Sequence, residues 1–297
     1  MVGAVGAMGA ARLIGLDWGS TALRAFLIDS GGKVLAERGA PLGASTLSGA
    51  ASFSAALAQV CGDWDMGLPM LACGMVGSRH GWLEAPYASC PAGAEQLAAL
   101  AVRVESGPRI VPGLLHDAAV PDVMRGEETQ ILGALQRHPA LAEGACVILP
   151  GTHSKWATVQ SGRITGFGTH MTGELYALLR RQSVLSRLMP EADAASPEAF
   201  IAGVDAARTG GDEGLGHQLF AVRTLGLMER MPVEGLADYL SGLLIGHELR
   251  AGLRSRIEGP LAIVGEPALC ERYARALARF GESKPLLLAN TAPDGLA

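Results

Sequence analysis

The 297-residue chain lacks several features that would each name a class of protein. It has no run of about 18 or more uninterrupted apolar residues, so no membrane-spanning helix is expected. It has no basic excess. Its 24 Lys and Arg face 29 Asp and Glu, a net charge of −5, and a nucleic-acid-binding surface needs a basic stripe. The five cysteines, Cys61, Cys73, Cys90, Cys146 and Cys270, are odd in number, scattered and free of any CxxC, which reads as reduced thiols in a cytoplasmic protein. The seven histidines show neither HxxxH nor HxH spacing, so no zinc site is expected. There is no GxxxxGK[ST], no GxGxxG after a strand and no GxSxG elbow. The first eleven residues, MVGAVGAMGAA, have no basic n-region and read as a disordered leader, not a signal peptide.

What is abundant is glycine, 40 residues in a chain that is 49% hydrophobic. This length exceeds one comfortable core, and two domains are expected. The stretch LIGLDWGSTALRAFLID, residues 13–29, opens and closes as a buried strand but is broken by an aspartate, a glycine and two hydroxyls. A Ser30-Gly31-Gly32-Lys33 turn and VLAERG follow, so 13–39 reads as a three-stranded meander. Periodicity predicts a helix over 53–65, a strand over 69–73, a helix over 91–104 and a strand over 109–112. An amphipathic helix follows Met124, with Ile131, Leu132 and Leu135 on its apolar side. Then the opening pattern returns: a strand 146–149, the break PGTHS, a strand 155–160, a Ser161-Gly162 turn and a strand 163–168. Corresponding glycines of the two units lie about 130 residues apart. Two meanders can resemble each other by chance; the alternative is a duplicated domain, each half donating one phosphate-facing hairpin. The remainder reads as helices over 173–188, 200–207, 212–231 and 233–254, a strand 261–264 ending in Gly265-Glu266, a helix 268–280 and a short strand 285–289.

Backbone N–H groups in such glycine-bearing turns form concave nests for anions. Gly19 lets a phosphate approach the main chain, Ser20 and Thr21 add hydroxyls, and Asp17 can hold Mg²⁺ directly or through water. The plainer reading is a polar Asx turn. PGTHSKW repeats the logic with Thr152, His153, Ser154 and Lys155, and two facing loops of this type can hold a nucleotide triphosphate. In MRGEETQ, 124–130, Glu127 and Glu128 start a helix. A carboxylate in reach of an attacking hydroxyl serves phosphoryl transfer, while carboxylates there also favour the helix dipole. Arg125 could pair with a substrate carboxylate or with one of these glutamates. GMVGSRHGW, 74–82, suits a small polyol, or is a connection with Trp82 in the core. Gly265-Glu266 can lie against adenine or ribose, or simply turn into a helix.

In this order the motifs resemble the sugar-kinase branch of the actin/hexokinase/Hsp70 superfamily, and within it the 2-dehydro-3-deoxygalactonokinase family. The carriers run from 13 to 291: DWGST, GMVGS, APY at 85–87, VMRGEETQILGA, PGTHSKW, MTGELYALL from Met171 and YLSGLLIG from Tyr239. The series VMRGEETQ, PGTHSKW, MTGEL is the specific part. The resemblance implies a two-lobed, ribonuclease-H-like α/β fold of actin/hexokinase type with a central interlobe cleft. The N-terminal lobe is expected over 12–123 and the C-terminal lobe over 124–297. ATP and Mg²⁺ are the implied cofactors. The implied reaction is γ-phosphoryl transfer to the 6-hydroxyl of 2-dehydro-3-deoxy-D-galactonate in galactonate catabolism. The gluconate epimer or another sugar acid is an alternative substrate, and a non-catalytic sugar sensor on the same scaffold is a further reading.

Position by position, the resemblance gives Asp17 to the metal. It gives Gly151, Thr152 and Gly265 to the nucleotide, and the chemistry of the turns adds Gly19, Ser20, Thr21, His153 and Glu266 as candidates. From their chemistry Thr46, Gly77, Ser78 and Trp82 are the candidates for the sugar acid, with either Arg24 or Arg125 for its carboxylate. The base is Glu127, with Glu128 as rival, where the superfamily's sugar kinases place an aspartate. The expected partner is a small-molecule sugar acid, with no nucleic acid and no membrane. A homodimer is compatible with the pattern and not compelled by it. The final residues, NTAPDGLA, leave no evident closing helix back to the first lobe.

Overall fold

Five consecutive buried residues, Ile14 to Trp18, mark β1 (Ala11–Trp18) as a strand covered on both faces. In the computed structural model, which describes residues 10–190, 195–282 and 284–297, β1 lies inside a six-stranded sheet. The leader expected over 1–11 thus falls outside the described residues except for Ala10 and Ala11, and Ala11 already opens β1. β2 (Leu23–Asp29) and β3 (Val34–Ala40) follow as antiparallel neighbours, with Gly32 at φ 80° in the turn between them, so the meander read from sequence is present. Next come α1 (Ala50–Cys61), β4 (Met70–Gly74), β5 (Tyr87–Ser89), α2 (Ala94–Leu100), β6 (Val102–Arg103) and β7 (Arg109–Ile110). β8 (Gly113–His116), β9 (Asp122–Met124) and α3 (Glu127–Arg137) complete this half. β4 and β7 add parallel strands beside β1, and the sheet runs β3-β2-β1-β4-β7-β6. β5, β8 and β9 form a separate small sheet that the sequence did not announce. Each has three or four residues, too few to show a period of two.

The second half repeats the plan with β10 (Gly144–Leu149), β11 (Ser154–Gln160), β12 (Arg163–His170), α4 (Thr172–Gln182), α5 (Pro197–Gly210) and α6 (Leu215–Leu227). It ends with α7 (Leu236–Ser255), β13 (Leu261–Val264), α8 (Pro267–Arg279), β14 (Leu286–Leu288) and α9 (Ala292–Leu296). Its sheet runs β12-β11-β10-β13-β14. The inner order matches β3-β2-β1-β4-β7, and β10–β13 and β13–β14 are parallel pairs as β1–β4 and β4–β7 are. Two meanders alike by chance would not share their parallel additions as well, which favours the duplicated-domain reading.

Two units account for the described residues. Unit 1 runs through Gly144 and takes in Val159–Phe167 and Asn290–Ala297; unit 2 holds Ala145–Thr158 and Gly168–Ala289. By this division α3, placed by sequence with the second lobe, lies in unit 1. The core of unit 1 gathers Ile14, Leu16, Leu23, Ile110 and the aromatic trio Trp18, Phe53 and Trp82. Unit 2 has one core around β10, β13 and α8 and a second where α5, α6 and α7 pack. Among the described residues no helix is long and apolar enough to cross a membrane.

The carboxyl-terminal segment corrects the expectation that no closing helix returns. α9 belongs to unit 1 and packs on α3 through glycines. A Cβ on Gly133 would stand 1.9 Å from Thr291 O, and one on Gly295 2.0 Å from Thr129 O. Thr291 Oγ1 donates to Gln130 O at 2.6 Å, and Arg137 pairs with Asp294. Only five residues long, α9 docks largely by backbone approach, which leaves no apolar period in the sequence. Gly133→Ala is therefore expected to lower the Tm by roughly 3–10 °C in calorimetry, as an overpacked contact should. Gly144→Ala, where nothing lies within 4 Å, is the unshifted control.

Candidate active site

In unit 1 the β-sheet brings three sequence motifs to one place. Parallel pairing of β1 with β4 sets Asp17 beside Cys73 and Trp18 beside Gly74. Gly74 (φ 91°) and Gly126 (φ 110°) both need positive φ, which favours glycine. They also permit close stacking: a Cβ on Gly74 would lie 2.8 Å from Trp18 O, and one on Gly126 3.1 Å from Gly74 Cα. DWGST, GMVGS and MRGEE thus meet backbone to backbone.

Asp17, next to last in β1, is 7% exposed, and Arg24 Nη2 donates to its Oδ2 at 2.6 Å. Burial pushes the Asp17 carboxyl up, against the opposing pull of the Arg24 charge and hydrogen bond. Arg24, a candidate for the sugar acid, is therefore the partner of the candidate metal ligand. The Gly19-Ser20-Thr21 turn is held from outside, because Ser20 O accepts from Ser45 N at 3.1 Å and Ser45 Oγ at 2.6 Å. Ser20 and Thr21 are exposed, and a Cβ on Gly19 would meet nothing nearer than Ala22 O at 3.7 Å, so this face of the loop is open. Thr46, exposed, ends the supporting segment with Oγ1 donating to Gly43 O at 2.8 Å.

Arg125 follows β9 and points across the group. Its Nη2 donates to Ala85 O at 2.8 Å, and its guanidinium lies 4.4 Å over the Tyr87 ring. Nη1 lies 3.0 Å from where a Cβ on Gly77 would stand, which brings GMVGS and MRGEE side by side. Arg125 Nε and Nη1 are buried and have no acceptor among the described residues. Ser78 closes the 3-10 turn Met75–Gly77, its N–H donating to Met75 O. Trp82 stacks on Phe53 at 5.7 Å and meets Trp18 edge-on at 5.9 Å, so its contacts are those of a core aromatic.

α3 begins with two glutamates in different surroundings. Glu128 is fully buried; Oε2 accepts Gly126 N at 2.6 Å and Oε1 accepts Thr129 Oγ1 at 3.0 Å. Burial, then the charge of Glu127, pushes Glu128 up to about 8. Glu127 is half-buried, and its Oε2 accepts Arg125 N at 3.0 Å. Unfolded chain releases the Glu128 proton near the ordinary 4.5, whereas the folded protein keeps it to about 8. Above pH 5 the unfolded state then binds fewer protons, so stability falls with rising pH until about 8 and levels off beyond. Denaturant titrations at pH 5 and 9 should differ by a few kcal/mol, and Glu128→Gln should flatten this slope.

In unit 2 a cavity of about 530 Å³ opens beside the second loop. Gly151, Thr152, Thr172 and Gly173 line one end, Leu244, Ile245 and Leu269 an apolar wall, and the ion-paired Asp238 and Arg272 another part. Gly173 explains MTGEL, since a Cβ there would stand 2.4 Å from Gly151 O. That contact sets the α4 N-terminus, where N–H groups favour anions, directly on the GTH loop. Glu174 N donates to Thr152 O at 3.1 Å, and His153 Nε2 lies 2.5 Å from Glu174 Oε2. Gly265 and Glu266 do not line the cavity. Glu266 caps α8, accepting from Ala268 N and Leu269 N, and α8 in turn supplies Leu269, Arg272 and Tyr273 to the wall.

Sequence reasoning missed Glu248, on α7 at 3% exposure. Its Oε1 accepts from Ser154 Oγ at 2.6 Å and Trp156 Nε1 at 2.8 Å, and its Oε2 from Tyr273 OH at 2.7 Å and from Thr172 Oγ1. A signal was available: Glu248 sits one turn after Leu244 and one before Gly252, on the buried face of the helix. No cluster of three or more metal-ligating side chains occurs among the described residues. Asp17 alone still fits Mg²⁺, which commonly takes one or two carboxylates and completes its shell with phosphates and water.

The family model for 2-keto-3-deoxy-galactonokinase matches residues 17–297. The chain is 38% identical over 287 residues to the 2-dehydro-3-deoxygalactonokinase of Escherichia coli K12, covering 95% of this chain and 94% of that one. It superposes with a TM-score of 0.85 on a crystal structure from Sinorhizobium meliloti of a candidate 2-dehydro-3-deoxygalactonokinase, at 35% identity and 96% coverage of both chains. A looser likeness, TM-score 0.52 at 13% identity over 96% of this chain and 92% of the other, is to the ADPNP-bound activator of a 2-hydroxyisocaproyl-CoA dehydratase from Clostridium difficile, and it speaks to the fold alone.

Proposed function

The chain belongs to the 2-keto-3-deoxy-galactonokinase family, and from that premise we propose how its own residues carry out the reaction. It is an ATP-dependent carbohydrate kinase that phosphorylates 2-dehydro-3-deoxy-D-galactonate in galactonate catabolism. The acceptor hydroxyl is the one on C6. One observation carries the site assignment: in unit 1 a half-buried carboxylate, Glu127, and a guanidinium with two unpaired buried nitrogens, Arg125, flank the same glycine stack.

Leaving buried donors unpaired is costly, and a ligand carboxylate removes that cost. Arg24 is engaged by Asp17, so Arg125 is the group that holds the carboxylate of the sugar acid. Tyr87, whose ring covers the guanidinium, is 42% exposed and can swing aside without unpacking the core. Gly77 and Ser78 flank that position and bind the sugar-acid hydroxyls. Glu127 accepts the proton of the attacking hydroxyl. Glu128, with no exposed surface and both oxygens engaged, fixes Gly126 and the start of α3 instead.

The cavity in unit 2 suits a nucleoside in size, in its apolar wall and in the helix N-terminus at its end. Beside that cavity Gly151 to His153 bind phosphate oxygens, and within unit 1 the open Gly19-Ser20-Thr21 turn has the N–H groups and hydroxyls for the same chemistry. Asp17 holds Mg²⁺, which when bound supplies positive charge to the transferring phosphoryl group.

A coupled assay of ADP release over a panel of sugar acids tests the reading; activity on the gluconate epimer matching that on the galactonate form would sink the substrate assignment. Arg125→Met is expected to raise the KM for the sugar acid by roughly 30-fold or more, the loss of a charge-assisted pair, with the nucleotide KM nearly constant. An unchanged sugar-acid KM would remove Arg125 from the site.

A further inference from the structure

We infer that Glu248 is the positioning residue of the nucleotide cavity: from behind the wall, touching no ligand, it sets how tightly the nucleotide is held. The inference rests on reading the unit 2 cavity as the ATP site. Glu248 gathers four donors from three different elements: Ser154 and Trp156 from β11, Thr172 from the first turn of α4, and Tyr273 from α8. Among the described residues no Lys, Arg or His pairs with it. A carboxylate buried without a cation is a poor way to fill a core, where an apolar side chain of similar volume does as well or better. What it does supply is geometry, since each donor must stay in place for the carboxylate to remain solvated by protein.

Two of the four donors, Thr172 and Tyr273, also line the cavity, and their hydroxyls are turned out of it onto Glu248. Thr172 opens α4, whose next residue, Gly173, butts against Gly151 and Thr152 of the phosphate loop. Ser154, two residues after Thr152, is held from the other side of the same loop. One turn further along α7, a Cβ on Gly252 would stand 2.4 Å from the Trp156 ring, so α7 has no slack against β11 with which to absorb a change. One carboxylate therefore fixes the loop, the helix terminus and the α8 wall relative to one another. Misplacing binding groups by about 1 Å can cost two orders of magnitude.

The test compares Glu248→Leu, which removes all four acceptances at similar volume, with Glu248→Gln. Glutamine can still accept from Ser154 and Trp156 through its carbonyl while its amide donates to the hydroxyls of Thr172 and Tyr273. Steady-state KM values for ATP and for the sugar acid, and calorimetric titration with ADP, are measured well below each variant's Tm. Glu248→Leu is expected to raise the ATP KM and the ADP Kd about tenfold or more, with the sugar-acid KM within about twofold, and Glu248→Gln to recover most of the loss. If Glu248→Leu does not fold, Tyr273→Phe carries the test, with about a threefold rise in the ATP KM alone. A lowered Tm with an unchanged ATP KM, or equal rises in both KM values, overturns the inference. Wild-type protein that turns over ATP but binds no ADP in competition with it would instead overturn the assignment of the cavity.

Discussion

Glu127→Gln is expected to cut kcat by roughly 10²–10⁴-fold, the usual weight of a general base, with both KM values and the Tm little changed. Glutamine keeps the length of the side chain and can still accept the Arg125 N–H, so the local fold has no reason to move. What it cannot do is take a proton. Glu128→Gln is the paired measurement. Glu128 has no exposed surface, and glutamine can still accept Gly126 N through its carbonyl, so kcat should fall far less while the pH dependence of stability changes. Single-turnover rates on both variants decide between the carboxylates. If Glu127→Gln keeps near-normal turnover and Glu128→Gln is inactive, the two roles are reversed and the substrate must reach the base by displacing α3.

Gly242→Val is expected to be the most damaging single change to the fold of unit 2. α5 and α7 cross with their backbones in contact: a Cβ on Gly242 would stand 2.0 Å from Phe200 O, and one on Gly203 2.1 Å from Tyr239 O. Both obstacles are main-chain atoms of regular helices, so neither can rotate away as a side chain would. The helices must separate, which exposes Val204, Leu240 and Leu243. A cost of about 3 kcal/mol or more follows, a large share of the usual net stability of a domain. Loss of soluble protein, or a Tm lower by about 10 °C, is the expected readout. Gly216→Ala on α6 is the opposite control. Nothing lies within 4 Å of a Cβ there, so the better helix former should stabilise by about 0.5–1 kcal/mol. Equal effects of the two changes would show that the α5–α7 contact is not tight in solution.

The sequence by itself determined the repeated strand plan and the chemistry-bearing motifs. Glycine and small polar residues breaking an apolar run, beside a carboxylate at 17–21 and beside a histidine at 151–154, are local signals that need no partner to be read. It also determined that Gly126-Glu127 starts a helix, because caps and periodicity are properties of neighbouring residues. Tertiary structure alone decided which of these residues answer to one another. By residue type Arg24 and Arg125 are alike; strand register sets Arg24 on Asp17, while Arg125 keeps two buried nitrogens without an acceptor among the described residues. Nothing in the order of the chain announces that Phe53 stacks on Trp82. Periodicity marked Glu248 only as a charge on the buried face of a helix and gave no sign of α9, because what matters about both is contact: four donors drawn from distant segments, and two glycines that let a five-residue helix lie on α3. Local patterns are written in consecutive residues, whereas pairing depends on separations through space that the order of the chain does not contain.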